Sequence, residues 1–117
     1  IHNLPQLFKR EFLVAFFDDE GCVDMREKQH IRRVRGYQKD VKILVLVQKL
    51  LNDFKILSKI YKPNEVVIMG KSNLEKFQKE INFSSGIYIN GARSNSIWKK
   101  SLEKRFLLNQ AIQSFKN

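Results

Sequence analysis

Apolar residues near the start of the chain fall on two sides of a predicted helix. Asn3 followed by Pro5 predicts where the helix begins, because Asn caps unpaired backbone amides and proline is tolerated in the first turn. One apolar set recurs at three- and four-residue steps and comprises Leu4, Phe8, Phe12, Ala15 and Phe16, while Leu13 and Phe17 add a second face. Gly21 is expected to end the helix in the way that glycine does beyond a helix C-terminus. We expect one face to contact the chain's own core and the other to contact a second partner.

The middle of the chain predicts two strand pairs separated by a helix. Alternating charged and apolar residues over 22–38 predict two strands around a turn near 28–30. Asp40 is placed to cap a second helix, whose apolar stripe comprises Ile43, Leu44, Val47, Leu50, Leu51 and Phe54. The segments ILSKIYK (56–62) and EVVIM (65–69) predict two further strands, because Pro63 and Asn64 between them form a turn pair.

Two further helices are predicted toward the C-terminus. Gly70 ends the second strand pair, and Ser72 with Glu75 predicts a capping box for a third helix that runs to about Ile81. The segment SSGIYINGARSN (84–95) has few helix formers and predicts extended chain. A last helix is predicted to begin near Ser96 and to direct Trp98, Leu102, Phe106, Ala111, Ile112 and Phe115 toward the core. This order predicts one α+β domain over residues 1–117 with an antiparallel sheet.

Charge narrows the classes of partner. The 117 residues include 22 Lys and Arg but only 12 Asp and Glu, which gives a formal net charge of +10. Such a charge favours binding to nucleic acid or to an anionic membrane surface. The alternative is a basic protein whose charge only keeps it soluble.

The single cysteine, Cys22, leaves no intrachain disulfide and predicts a reducing intracellular compartment, such as cytoplasm, nucleoid or an organelle. The longest apolar run, 43–47, is too short to span a bilayer. The first residue is Ile rather than Met, which is compatible with a piece or one half of a longer chain.

Basic residues concentrate in the first predicted strand pair. A two-stranded ribbon fits the major groove of DNA, where Arg can contact guanine with two hydrogen bonds. The candidate DNA contacts are Arg26, Lys28, His30, Arg32, Arg33, Arg35, Tyr37 and Lys39, extended by Lys59 and Lys62 from the second pair. Some of them are expected to contact phosphates instead of bases. We interpret His30 as a turn residue rather than a metal ligand, since no second His or Cys accompanies it. The alternative is a charged hairpin that only contacts solvent.

One segment resembles a known signature. LVAFFDDEG (13–21) resembles the nine-residue motif of the LAGLIDADG homing endonucleases. VVIMGKSNLEKFQKEINF (66–83) is similar to that family's second hairpin and following helix, and RSNSIWKKSLEKRFLLNQAI (93–112) resembles the C-terminal region of archaeal members. The resemblance implies an α-β-β-α-β-β-α core with a saddle-shaped antiparallel sheet. Without these later segments, three acids after an apolar helix would indicate a solvated helix end.

The resemblance also implies a reaction and a site. In the family, two motif helices pack together, from two subunits or from two halves of one chain, and each delivers one acid to the DNA backbone. Glu20 matches the metal-binding acid and would hold Mg²⁺ or another divalent cation, while Asp18 matches a supporting acid. A single motif implies a homodimer through the 12–20 helix and an approximately palindromic double-stranded target. Three residues are candidates for the family's basic catalytic residue: Lys42, Arg93 and Lys99.

Two departures from the motif and three functional hypotheses follow. Asp19 occupies a position that is usually small, and Val14 stands at the helix contact, where the family often has alanine. The first hypothesis is a Mg²⁺-dependent, site-specific DNA endonuclease. The second is a LAGLIDADG-like module without cleavage, acting as an intron maturase or a transcriptional regulator. The third is an unrelated RNA-binding domain, in which Tyr37, Tyr61 and Tyr88 would stack on bases.

Overall fold

The computed structural model describes residues 5–89 and 102–115, and of Glu27 it describes the backbone. The elements run in the order α1 (Gln6–Glu20), β1 (Gly21–Arg26), β2 (Ile31–Tyr37), α2 (Val41–Asp53), β3 (Lys59–Tyr61), β4 (Glu65–Met69), α3 (Lys71–Glu80) and α4 (Lys104–Gln113). A 3-10 turn, Glu27–Gln29, joins β1 to β2. The predicted α+β order is confirmed, although β3 is shorter than the predicted segment 56–62.

The four strands form one antiparallel sheet in the order β1-β2-β4-β3. Asp24 of β1 lies opposite Arg33 of β2, and Arg35 lies opposite Val67 of β4. Tyr61 of β3 lies opposite Glu65. Since side chains alternate between the faces of a sheet, this register decides which residues share a surface.

One face of the sheet packs on the helices. Buried residues of all four helices and of the sheet join one hydrophobic cluster, which includes Leu13, Phe17, Val23, Val34, Leu44, Leu51, Val66, Ile68, Phe77 and Leu108. Phe16 packs against Gly36 of β2, where an added Cβ would lie 2.6 Å from Cε2 of the Phe16 ring. Gly36 therefore lets α1 approach the sheet closely.

Helix α1 has a buried apolar face and an exposed one. Leu13, Phe16 and Phe17 are buried in the core, whereas Leu7, Phe8, Phe12 and Ala15 are exposed. Phe16 was predicted on the same face as Phe12, but the two differ in exposure, 8% against 41%. The predicted cap Asn3 lies outside the described residues, and Pro5 occupies the N-cap position.

Gly21 ends α1 for a reason other than the predicted one. Its φ of −99° and ψ of 159° are extended, so no left-handed cap is formed. An added Cβ would lie 2.5 Å from the backbone oxygen of Phe17, which is too close for any other residue without a shift. Glycine is required here by space, and α1 passes directly into β1.

The caps of α2 and α3 differ from each other. Asp40 caps α2 as predicted, because its Oδ1 accepts a hydrogen bond of 2.9 Å from the backbone N–H of Lys42. The predicted capping box of α3 is wrong, since Gly70 is the N-cap at φ +95° and Ser72 already lies inside the helix. Asn73 connects this corner instead, accepting from Leu57 N at 3.0 Å and donating to Met69 O at 3.1 Å.

Helix α4 begins later than predicted. Leu102 and Glu103 are extended and pair with residues 87–89, through hydrogen bonds from Ile89 N to Leu102 O (2.9 Å) and from Lys104 N to Ile87 O (2.8 Å). The helix therefore starts at Lys104, and its register differs from the predicted one. Phe106 is 48% exposed, while Leu107 and Leu108 are buried. Ser96 and Trp98 lie outside the described residues.

Candidate nucleic-acid interface and acidic helix end

The sheet face opposite the core is polar and strongly basic. We call it the outer sheet face, and strand alternation places on it Cys22, Asp24 and Arg26 of β1, Arg33, Arg35 and Tyr37 of β2, Glu65, Val67 and Met69 of β4, and Lys59 and Tyr61 of β3. The core side chains of the same strands point toward the helices. The fold thus brings five of the ten predicted DNA contacts, Arg26, Arg33, Arg35, Tyr37 and Lys59, onto one surface.

Asp24 lies at the centre of an arginine cluster on this face. Asp24 is only 2% exposed, and its carboxylate accepts hydrogen bonds from Arg26 Nε at 3.1 Å, Arg33 Nε at 2.9 Å and Arg35 Nη1 at 3.3 Å. Glu65 binds Arg35 through both carboxylate oxygens, at 3.2 and 2.7 Å. Asp24 and Glu65 were not among the predicted site residues, because their contacts depend on a strand register that the sequence does not reveal.

Burial and ion pairing set the protonation of this face. Burial raises the pKa of Tyr37 to about 12, with a smaller contribution from Cys22. Burial also raises the pKa of the Cys22 thiol. For Arg35, burial acts to lower the pKa, but the hydrogen bond to Glu65 and the electrostatic interactions with Tyr37, Glu65 and Cys22 together outweigh it, so the pKa is raised. At neutral pH the face therefore presents a charged guanidinium beside a neutral phenol.

Further predicted contacts surround the outer sheet face. Lys28 and His30 are exposed at the turn between β1 and β2, and His30 adopts a left-handed φ of +57°, as suits a turn residue. Lys39 is exposed after β2, and Lys62 is exposed in the turn between β3 and β4. Their roles in DNA binding stay predictions.

Arg32 lies on the other side of the sheet from this cluster. Its Nη2 donates to the backbone oxygen of Ser114 at 3.1 Å, its Nε donates to the Ser114 hydroxyl, and its guanidinium lies 4.9 Å from the centre of the Phe115 ring. Arg32 therefore links β2 to the end of α4, and the geometry separates it from the other predicted contacts.

The C-terminal end of α1 carries three acids in different environments. Asp19 and Glu20 are exposed, whereas Asp18 is half-buried and its Oδ1 accepts a hydrogen bond of 2.9 Å from Ser84 N. Asp18 thus fixes the chain that follows α3. Glu20 lies two residues before Cys22 of the outer sheet face, so the acidic end adjoins the arginine-bearing surface.

A buried lysine contacts the same helix end. Lys104 donates from Nζ to the backbone oxygen of Asp18 at 2.8 Å and is only 7% exposed. Burial lowers its pKa, opposed by electrostatic interactions with Cys22, Asp18, Asp19 and Glu20. Sequence reasoning missed this residue, because it was expected inside a helix that started earlier.

The structure describes one of the three predicted basic candidates. Lys42 is exposed in the first turn of α2. Arg93 and Lys99 lie outside the described residues. Of the basic residues that the structure describes, Lys104 is the one whose ammonium binds the acidic end of α1.

The acidic end has the donor chemistry that Mg²⁺ requires. Within residues 5–89 and 102–115, no group of three His, Cys, Asp or Glu side chains comes close enough to hold a metal ion. Mg²⁺ is usually bound by only one or two carboxylates, together with waters and substrate phosphates. The exposed carboxylate of Glu20 fits that pattern as a single protein ligand.

Comparison with known protein families decides the family. The sequence model described as a LAGLIDADG-like domain matches residues 7–82, which is more than half of the chain. The chain belongs to the LAGLIDADG family. The match runs from α1 into the residue pair that follows α3, so the predicted α-β-β-α-β-β-α order is confirmed by family and structure together. This family consists largely of nucleases.

The other comparisons add no relative. No curated protein and no solved structure matches the chain. In the part of the chain that the structure describes, none of the LAGLIDADG domain's helices is both long and apolar enough to cross a bilayer.

Proposed function

We propose that this LAGLIDADG domain is a site-specific, double-strand DNA endonuclease that hydrolyses phosphodiester bonds with a divalent cation such as Mg²⁺. The observation that carries this proposal is the continuity between two surfaces. The acidic end of α1 passes directly into β1, and Cys22 near the start of β1 lies opposite Arg35 of the arginine cluster. A duplex bound to the first surface would lie beside the second.

The outer sheet face would hold the DNA. Arg26, Arg33 and Arg35 project from two adjacent strands, and Lys59 extends the positive surface onto β3. Lys28, His30, Lys39 and Lys62 would contact phosphates around the edge, which sets affinity and salt dependence. Arg32 is left out of this role because Ser114 and Phe115 hold it on the opposite face.

The acidic helix end would carry the chemistry. Glu20 would be the metal ligand, and a divalent cation bound there would activate water and stabilise the charge of the reacting phosphate. Asp18 would keep the following loop in place through Ser84 N. Lys104 joins the predicted Lys99 as a proposed basic residue, because its ammonium is fixed against α1 beside the three acids.

A homodimer would complete the site. Treated as one domain, residues 1–117 contribute one motif and one Glu20. The exposed apolar face of α1, with Leu7, Phe8 and Phe12, leads along the helix toward the acidic end. Pairing of this face in two copies would bury it and would bring two Glu20 carboxylates near each other. Ala15 leaves room for such an approach.

The second candidate is a DNA- or RNA-binding module without cleavage, acting as a maturase or a regulator. The observation that favours it is that Asp24 and Glu65 organise the arginine cluster independently of the acids on α1. Binding could therefore persist without chemistry at Glu20.

A selection experiment separates these two candidates. The protein is incubated with a randomised double-stranded DNA library and Mg²⁺, and bound and cut molecules are sequenced separately. We expect cut molecules that share a roughly two-fold symmetric site. Enrichment of bound molecules without cuts would favour the binding module, and no enrichment in either pool would contradict both.

A further inference from the structure

We propose that Asp24 is a positioning residue that divides the surrounding arginines into a base-reading residue, Arg26, and a supporting residue, Arg35. The preferred duplex would present a guanine to Arg26 in the major groove. This inference rests on the proposed DNA binding and adds to it which arginine reads a base and what orients it.

Asp24 is well placed for such a role. Asp24 is 2% exposed, and burial of a carboxylate is costly unless it is paired; here three guanidinium groups surround it. Arg26 binds its Oδ1, while Arg33 and Arg35 bind Oδ2. The two carboxylate oxygens of Asp24 therefore fix the positions of three guanidinium groups on β1 and β2.

Arg35 is held on both sides. Its Nε and Nη2 donate to Glu65 at 3.2 and 2.7 Å, and its Nη1 donates to Asp24 at 3.3 Å. These bonds bridge β1, β2 and β4 and use three of the five N–H donors of the guanidinium, on all three of its nitrogens. Arg35 thus stabilises the surface and contributes charge, and its side chain is only 21% exposed.

Arg33 is intermediate between these roles. Its Nε donates to Asp24 Oδ2, and its Nη2 lies 2.9 Å from the same oxygen. The Nε and Nη2 edge of this guanidinium therefore faces Asp24, and the side chain is 27% exposed, against 41% for Arg26. This more covered position suits contact with a phosphate oxygen, which carries little base preference.

The hydrogen bond of Arg26 to Asp24 does not use its terminal nitrogens, Nη1 and Nη2. Its hydrogen bond to Asp24 uses Nε, and its side chain is 41% exposed at the end of β1. The two terminal nitrogens match the spacing of guanine O6 and N7, the commonest specific contact of arginine in the major groove. Because Asp24 already restrains the side chain, less conformational freedom is lost on binding.

The first test compares Asp24→Asn with Glu75→Gln. Both changes raise the net charge by one, but Glu75 is exposed on α3, away from the cluster. The duplex selected by the wild-type chain and a scrambled duplex serve as probes, and the ratio of their dissociation constants is the readout. We expect Asp24→Asn to reduce the ratio by about tenfold, the scale of one lost bidentate base contact. We expect Glu75→Gln to leave the ratio unchanged. An unchanged ratio in Asp24→Asn would overturn the inference.

The second test needs no change at a buried residue. Arg26→Gln replaces the proposed guanine reader by a side chain that pairs with adenine, so selection with this variant should lose guanine at one position per half-site. Arg35→Gln should weaken binding to all duplexes without changing the preferred base. If Arg26→Gln still selects the wild-type sequence, the inference fails even where Asp24→Asn does not fold.

A spectroscopic readout separates positioning from loss of folding. In the free protein, the Nε–Hε resonances of Arg26 and Arg33 should shift in Asp24→Asn, while the backbone amide spectrum stays dispersed. Unshifted resonances would show that Asp24 does not hold these side chains. Should the wild-type chain enrich no sequence at all, the proposed DNA binding itself would be contradicted and this inference with it. Enrichment that Arg26→Gln leaves unaltered would contradict this inference alone.

Discussion

The ammonium of Lys104 donates a hydrogen bond to the backbone oxygen of Asp18, with 2.8 Å between the two atoms. This contact joins α4 to the C-terminal end of α1, where helix carbonyls and three acids concentrate negative charge. A cation from the same chain therefore stabilises an arrangement that the helix dipole disfavours. Its position was not evident from the sequence, since the contact joins residues 86 positions apart.

The lowered pKa of Lys104 predicts a pH dependence of folding stability. The unfolded chain holds this proton to about pH 10.4, whereas the folded chain releases it at lower pH. Between the two pKa values the unfolded state binds more protons, so the free energy of unfolding should rise with pH in that window. We expect Lys104→Met to lack this rise. Denaturant unfolding of both chains from pH 7 to pH 10 measures it, and parallel profiles would contradict the assignment.

Loss of the arginines on β2 should weaken DNA binding through electrostatics. In Arg33→Ala plus Arg35→Ala we expect a lower affinity and a flatter dependence on salt, by about one to two units of slope, because fewer phosphate counterions are released. Lys49→Ala plus Lys79→Ala is the matched control, since both lysines are exposed on helices. Binding titrations at several salt concentrations compare the two. Equal slopes of affinity against salt concentration in both variants would contradict the assignment of the outer sheet face as the DNA-binding surface.

The exposed face of α1 should control self-association. Phe12→Asp places a charge in the apolar patch, so we expect the proposed dimer to dissociate to monomer, as measured by sedimentation. Phe106→Asp is a matched control, because Phe106 is similarly exposed, at 48% against 41%, but lies on α4. A Phe12→Asp chain that sediments like the wild type would show that copies do not pair through this face.

Tyr37 should titrate at an unusually high pH. Burial keeps its phenol protonated to about pH 12, against an ordinary value near 10. The stability that this raised pKa contributes is complete below pH 10 and is lost as the pH rises from 10 to 12. The tyrosinate absorbance of the wild-type chain minus that of Tyr37→Phe isolates the group. A difference curve centred near pH 10 would contradict the burial.

Periodicity predicted the parts of the fold that depend on local sequence. The helical stripe from Leu44 to Leu51 and the cap at Asp40 are where the pattern placed them, because burial of one face and an N-cap are local properties. The predicted start of α4 near Ser96 was wrong, because Leu102 is extended and accepts a backbone hydrogen bond from Ile89. That pairing joins distant segments, and no periodicity within the helix reports it.

The sequence predicted which basic residues lie in the candidate site but not which side chains contact each other there. Strand alternation alone separates Arg32 from Arg33, so the placement of Arg32 on the covered face could have been found from the sequence. The roles of Asp24 and Glu65 could not, because they depend on which residues face each other across β1, β2 and β4. Buried acids that orient basic side chains become visible only once the register is known.

The most direct test of the proposed endonuclease is Mg²⁺-dependent cleavage of the selected duplex by Glu20→Gln. Removing the ligand charge should lower cleavage by at least about a hundredfold, since even groups that only support metal ligands change activity by about 10–100-fold. Binding should be retained or strengthened, because the basic surface is intact. Glu75→Gln, with the same charge change on α3, should cleave normally. Full cleavage by Glu20→Gln would contradict the account.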